Sequence, residues 1–122
     1  METEDLIEII LKKESIVRWQ ALGWCRTWSD QVMDMLGGMP DIFTDIEARE
    51  VELSPAYWHT FVSAKTKEEG RYFFDVRGFV GKEDDAPPSL QGSRRDSLLM
   101  TEREIRYKSM SIPDRNVRFS AT

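Results

Sequence analysis

The chain is poor in the residues that build most metal and redox centres. It has one cysteine and one histidine in 122 residues. A single cysteine closes no intramolecular disulfide, and one of each residue is too few soft ligands for a structural zinc site. No apolar run approaches the ~20 residues that a membrane span needs. A glycine-rich phosphate loop is also missing. The acidic run Glu83-Asp84-Asp85 lacks the alternating aspartates and the distant bidentate glutamate of a calcium loop, so it reads as a solvated stretch. No cofactor, metal ion or catalytic residue is assigned on these grounds. The opening METEDLIEIILKK is acidic ahead of its apolar run, where a secretory signal needs a basic start. These absences point to a reducing, cytoplasmic setting, the cytoplasm of a host cell included.

Basic residues are scarce over most of the chain. Residues 1–93 carry 10 basic and 18 acidic residues, a net of −8, whereas residues 94–122 carry 7 and 4, a net of +3. An acidic body repels phosphates, so nucleic acid is disfavoured as a partner. The basic tail reads first as a solvated stretch, and second as a contact for an acidic partner or a second copy.

What is present is a set of apolar and aromatic patterns typical of a folded domain. Hydrophobic residues make up 40% of the chain, with six Phe, four Trp and three Tyr, which argues against wholesale disorder. Length predicts one domain over residues 1–122. Its first part, 1–38, is predicted helical. Val17, Ala21, Trp24, Trp28, Val32 and Met35 recur at helical spacing, and they predict a buried stripe on a long helix over 16–36. Lys12 to Ser15 interrupts the pattern, so a break is placed near 13–15. Gly37-Gly38 and Pro40 end the helical part.

Residues 45–81 read as strand-rich. A strand is placed near 47–53, against a short helix suggested by the capping-box spacing of Thr44 and Glu47. Tyr57–Ala64 and Arg71–Val80 are rich in aromatic and β-branched residues, and Gly70 suits a left-handed turn position. Together they predict a hairpin, preferred over a helix capped by Ser54 and Pro55. Residues 82–97 read as a loop or linker, from their charge, prolines and Gly92. Residues 98–122 are assigned to C-terminal strands and the basic tail.

The fold class predicted is α+β, with an N-terminal helix or helix pair packed on a curved antiparallel sheet of four to five strands. That element order resembles a cystatin- or NTF2-like roll, a likeness of architecture that carries no function. The predicted core holds Ile10, Val17, Ala21, Trp24, Trp28, Val32, Phe61, Phe74, Val76 and Ile105.

Two functional readings follow. The preferred one is a non-enzymatic interaction or assembly protein, such as a subunit, adaptor or viral or phage accessory protein. Its partner would be another protein or a second copy. Trp19 lies off the predicted stripe, beside Ile16 and near Gly23, and would anchor that contact, with Arg94 and Arg95 adding charge. The alternative is a small-ligand-binding or enzymatic roll with a pocket between helix and sheet. Trp24, Trp28, Tyr57, His59 and Phe74 would line it. In its enzymatic form, His59 is a general base oriented by Asp75 on the paired strand, with Cys25 as nucleophile. Nothing in the spacing demands that arrangement, and Cys25 between two tryptophans reads more simply as a small buried hydrophobe.

Overall fold

The computed structural model describes residues 2–22, 24–67 and 70–96. Three helices precede a five-stranded antiparallel sheet, an α+β architecture as expected. The helices are α1 (Thr3–Leu11), α2 (Glu14–Leu22) and α3 (Cys25–Gly37). The strands are β1 (Phe43–Ser54), β2 (Tyr57–Thr66), β3 (Gly70–Phe74), β4 (Val80–Lys82) and β5 (Arg94–Arg95), in the spatial order β4-β3-β2-β1-β5. Among the described residues no helix is long and apolar enough to cross a membrane. The predicted C-terminal strands, with Ile105, lie outside the described residues.

The break predicted near 13–15 is present, because α1 stops at Leu11 and α2 starts at Glu14. A second break was not expected. Trp24 leaves the helical region at φ −89° and ψ 91°, and α3 begins afresh at Cys25. A continuous helix keeps one angular phase, whereas a break resets it. The predicted stripe therefore fails across the break. Trp28 and Val32 are buried on α3, but Val17 is 45% exposed, Ala21 is exposed and Trp24 is 57% exposed. On α2 the inward positions are Ile16, fully buried, and Trp19, half-buried against the core. Ile16 thus belongs to the core and not to an outer surface, and the face expected to be buried on α2 is the one that meets solvent.

Both hairpins form. β1 runs longer than the predicted 47–53, and its irregularity between Thr44 and Glu47 places Asp45 at φ 49°. Aspartate tolerates that left-handed conformation better than most residues. β1 and β2 meet through the two-residue turn Pro55-Ala56, with Ser54 opposite Tyr57. Proline sets the first turn position, and Ala56 sits at φ 65°, where glycine is favoured. Ala56→Gly should raise stability by about 0.5–1 kcal/mol, as a higher midpoint in thermal unfolding, because relief of the strain outweighs glycine's added freedom when unfolded. An unchanged or lower midpoint would contradict this account of the turn. β3 was expected to run to Val80, yet it ends at Phe74. The chain then closes a tight loop in which the Asp75 N–H donates to Phe79 O (2.8 Å) and the Gly78 N–H donates to Asp75 O (3.0 Å). Gly78, at φ +122°, belongs to this turn and not to a strand bulge.

The two faces of the sheet are covered by different segments. Ile7, Ile10, Ile16, Trp28, Val32, Met33 and Leu36 pack from the helices onto Phe43, Ala48, Val62, Ala64, Tyr72 and Phe74, with Val76 partly buried at the margin. On the other face Val51, Phe61 and Phe73 are covered by Ala86 and Leu90. The segment 82–97 is therefore not a free linker. It forms two 3-10 turns, Glu83–Asp85 and Pro88–Leu90, and then adds β5 to the edge of β1. Its two apolar residues are spaced four apart, and they seal a sheet face that the helices leave bare.

Candidate active site

β2 pairs with β3 only from Val62 to Thr66. Beyond Phe74 the third strand turns away, which leaves the neighbouring edge of β2 without a strand partner. The first turn of α3 occupies part of that gap. Ser29 Oγ donates to the Thr60 carbonyl at 3.4 Å, and the Thr60 backbone N–H supports the Cys25 sulfur. Both backbone groups of Thr60 thus face α3 and not β1. Alternation along an antiparallel pair produces this, since every second residue points its N–H and C=O away from a given neighbour.

The same contact brings Cys25 against the imidazole of His59. His59 is 1% exposed and Asp75 5% exposed. Their side chains meet at 2.5 Å between Nε2 and Oδ1. Asp75 is the first residue after β3, and its Oδ1 also accepts the Arg77 N–H at 3.2 Å, which fixes the carboxylate in its loop. The result is a cysteine, a histidine and an aspartate brought together, from α3, β2 and the loop after β3. Each comes from a point where a regular element starts or stops, or where a strand edge is open.

Electrostatics reinforces the geometry. The hydrogen bond with His59 holds the Cys25 thiol below its ordinary range. Burial works against this, and the Thr60 amide and the charges of His59 and Arg26 add to it. Burial also disfavours a charged His59, yet the hydrogen bonds it makes to Asp75 and then Cys25, with their charges, outweigh it and raise the imidazole to about 9. A lowered thiol beside a raised imidazole favours the thiolate–imidazolium pair near neutrality. Cys25 is also the first residue of α3, where the helix dipole favours a negative charge. The Trp28 N–H already bonds Trp24 O at 2.9 Å, whereas an N–H earlier in the turn has no acceptor within the helix.

The surroundings are aromatic and paired. Trp24, just before Cys25, tilts against Trp19 with ring centroids 5.0 Å apart. Trp58, just before His59, is half exposed beneath the Arg94 guanidinium, 4.4 Å from the ring centroid. Arg94 also bonds Glu50 at 3.1 Å. Arg26 reaches the buried Asp96 at 3.3 Å. Arg94 and Arg95 are thus β5 residues set along β1, and the charge of Arg94 is engaged within the fold. Among the described residues no group of three or more His, Cys, Asp or Glu side chains is placed to hold a metal ion.

The five residues predicted to line one pocket separate into three environments. Trp28 and Phe74 are fully packed in the core, Trp24 and Tyr57 are on the outside, and His59 is buried beside Asp75 and Phe61. Of the residues predicted for partner contact, Ile16 is core, Trp19 is half-covered, and Gly23 lies outside the described residues. The Cys25–His59–Asp75 set, ranked low from spacing alone, is the one that the fold assembles. No protein-family model, curated protein or solved structure matches the chain, so the site is read from its own geometry.

Proposed function

We propose that the protein is a cysteine-dependent acyl-transfer enzyme, of hydrolase or transferase type. The observation that carries the reading is Cys25 at the head of α3 against His59, itself bound to Asp75 at 2.5 Å. Nucleophile, base and orienting carboxylate in sequence is the arrangement that activates a weak nucleophile for covalent catalysis. The Cys25 thiolate attacks an acyl carbon, and a carbon–sulfur bond forms as the carbonyl π pair moves to oxygen. N–H groups in the first turn of α3, which lack an acceptor within the helix, are suited to that oxyanion. As the tetrahedral species collapses, the His59 imidazolium gives its proton to the departing amine or alcohol, leaving a thioester. Neutral His59 then takes a proton from water or another acceptor nucleophile, whose attack releases the acyl product and restores the thiolate. Asp75 holds the ring and favours its charged form throughout.

Incubation with p-nitrophenyl acetate, followed by intact mass and peptide mapping, should show one acetyl group on Cys25. In Cys25→Ala that adduct should be absent, with nitrophenol release at the rate of free ester. Equal release by both proteins, or acetyl groups only on lysines, would overturn the reading.

A second reading has its own observation. Val17, Ala21 and Trp24 form an exposed apolar stripe on α2 and at its end, and exposed aromatic anchors are common in protein contacts. If this stripe binds a partner or a second copy, Trp24→Ala should weaken association by about 2 kcal/mol with its melting point little changed. Identical sedimentation of both proteins across concentration would remove self-association.

A further inference from the structure

On the edge of β2 beyond β3, α3 bonds at Thr60. Two residues earlier, Trp58 has the same backbone orientation by strand alternation, so its N–H and C=O face the side where β3 has ended. The loop from Asp75 to Phe79 bonds to itself and leads into β4, so it does not continue along β2. Tyr57 and Trp58 are both well exposed. A bare donor–acceptor pair on a strand edge is a template for another extended chain. Here it lies two residues from the one whose amide supports the Cys25 sulfur.

We propose that the substrate of Cys25 is an extended polypeptide segment that docks as an added strand on the open edge of β2 at Trp58. This rests on the acyl-transfer reading of the same site. An added strand takes two main-chain hydrogen bonds from one residue, and its direction carries its next carbonyls past Thr60 towards the thiol. A small ester could acylate Cys25 without using this edge. A peptide in extended form uses it and has its register fixed by it. The exposed rings of Trp24 and Trp58 offer apolar surface for alternate side chains of the bound strand, since every second residue of a strand faces the same way.

The test uses the whole chain and a blocked tetrapeptidyl chloromethyl ketone with Leu and Phe at alternating positions. In this reagent the thiolate displaces chloride and the carbon–sulfur bond is permanent. Four further versions each carry one backbone N-methyl group. Chloroacetone and iodoacetamide report the nucleophile without the peptide. The unmethylated peptide should label Cys25 at least tenfold faster than chloroacetone. N-methylation should cut that rate at least tenfold at one position and leave the other three within about twofold, the signature of a single peptide N–H donated to the Trp58 carbonyl. Equal tolerance at every position would overturn the proposal, as would a peptide no faster than chloroacetone. Labelling that falls as protein concentration rises would assign the edge to a second copy and also overturn it. Failure of iodoacetamide itself at neutral pH would be distinct, because it removes the activated cysteine on which both readings stand.

Discussion

Asp75→Asn should lower acyl transfer near neutral pH by about 10²-fold, within the usual range for loss of effective acid–base assistance. The amide keeps the volume of the carboxylate and loses its charge. His59 would no longer be held at about 9 and would fall towards an ordinary imidazole value of ~6.5. The wild-type profile should have two limbs. On the acid side, activity is lost as the lowered Cys25 thiol gains its proton. On the alkaline side, it is lost as the imidazolium gives up its proton near 9. In Asp75→Asn the alkaline limb should move down by more than one pH unit. A profile with an unmoved alkaline limb would show that His59 is not the titrating group.

Stability carries a matching signature, and its sign follows from linkage. The folded-state pKa of His59 lies above its unfolded value, so the folded chain holds its proton more tightly. That contribution is complete below about 6.5 and is lost as pH rises through about 9. Cys25 runs the other way. Its thiol is lowered, so its contribution is present above the unfolded thiol value and is lost as pH falls through the folded one. Melting midpoints measured from neutral pH upwards should therefore fall more for wild type than for Asp75→Asn.

Trp28→Ala should cost about 3–5 kcal/mol of folding stability, the usual loss when a large buried aromatic is truncated. Trp28 is almost wholly buried in the cluster that joins α3 to the sheet. Against a total of about 5–15 kcal/mol, that leaves little margin for a folded state. Val17→Ala, on α2 before the break, should cost less than about 0.5 kcal/mol because its side chain already meets solvent. Denaturant unfolding of the two variants separates these positions, which sequence periodicity places on a single stripe. Similar losses at both would restore one continuous helix. Trp28→Phe should cost less than the alanine change. Among the described residues the indole Nε1 has no hydrogen-bond partner, so its removal leaves no group stranded.

The β2–β3 hairpin was legible in the sequence because its signals are local. Gly70 marks its turn, and the aromatic and β-branched runs on either side of Gly70 have strand composition. The arrangement of the helices was only partly legible. The 3.6-residue period of Val17, Ala21, Trp24 and Trp28 is real as a pattern, but periodicity cannot show a phase reset within it. Extended backbone at Trp24 turns the outer face of α2 and the inner face of α3 into a single apparent stripe. The segment 82–97 was misread for a different reason. Its composition is that of a loop, and only Ala86 and Leu90 reveal that it closes a bare sheet face. The site suffered most, because its three residues are 34 and 16 positions apart in the chain and no spacing rule links them.

The most direct test is a pH titration of the ultraviolet thiolate absorbance of Cys25, the sole cysteine, in wild type and in His59→Ala. Thermal melts of both proteins verify that each is folded over the range used. The wild-type thiolate midpoint should lie below the ~8.5 of a free thiol, because the hydrogen bond with His59 lowers it, and in His59→Ala it should return to about 8.5 or above. A wild-type midpoint at or above 8.5, or one that His59→Ala leaves in place, would contradict an activated Cys25–His59 pair.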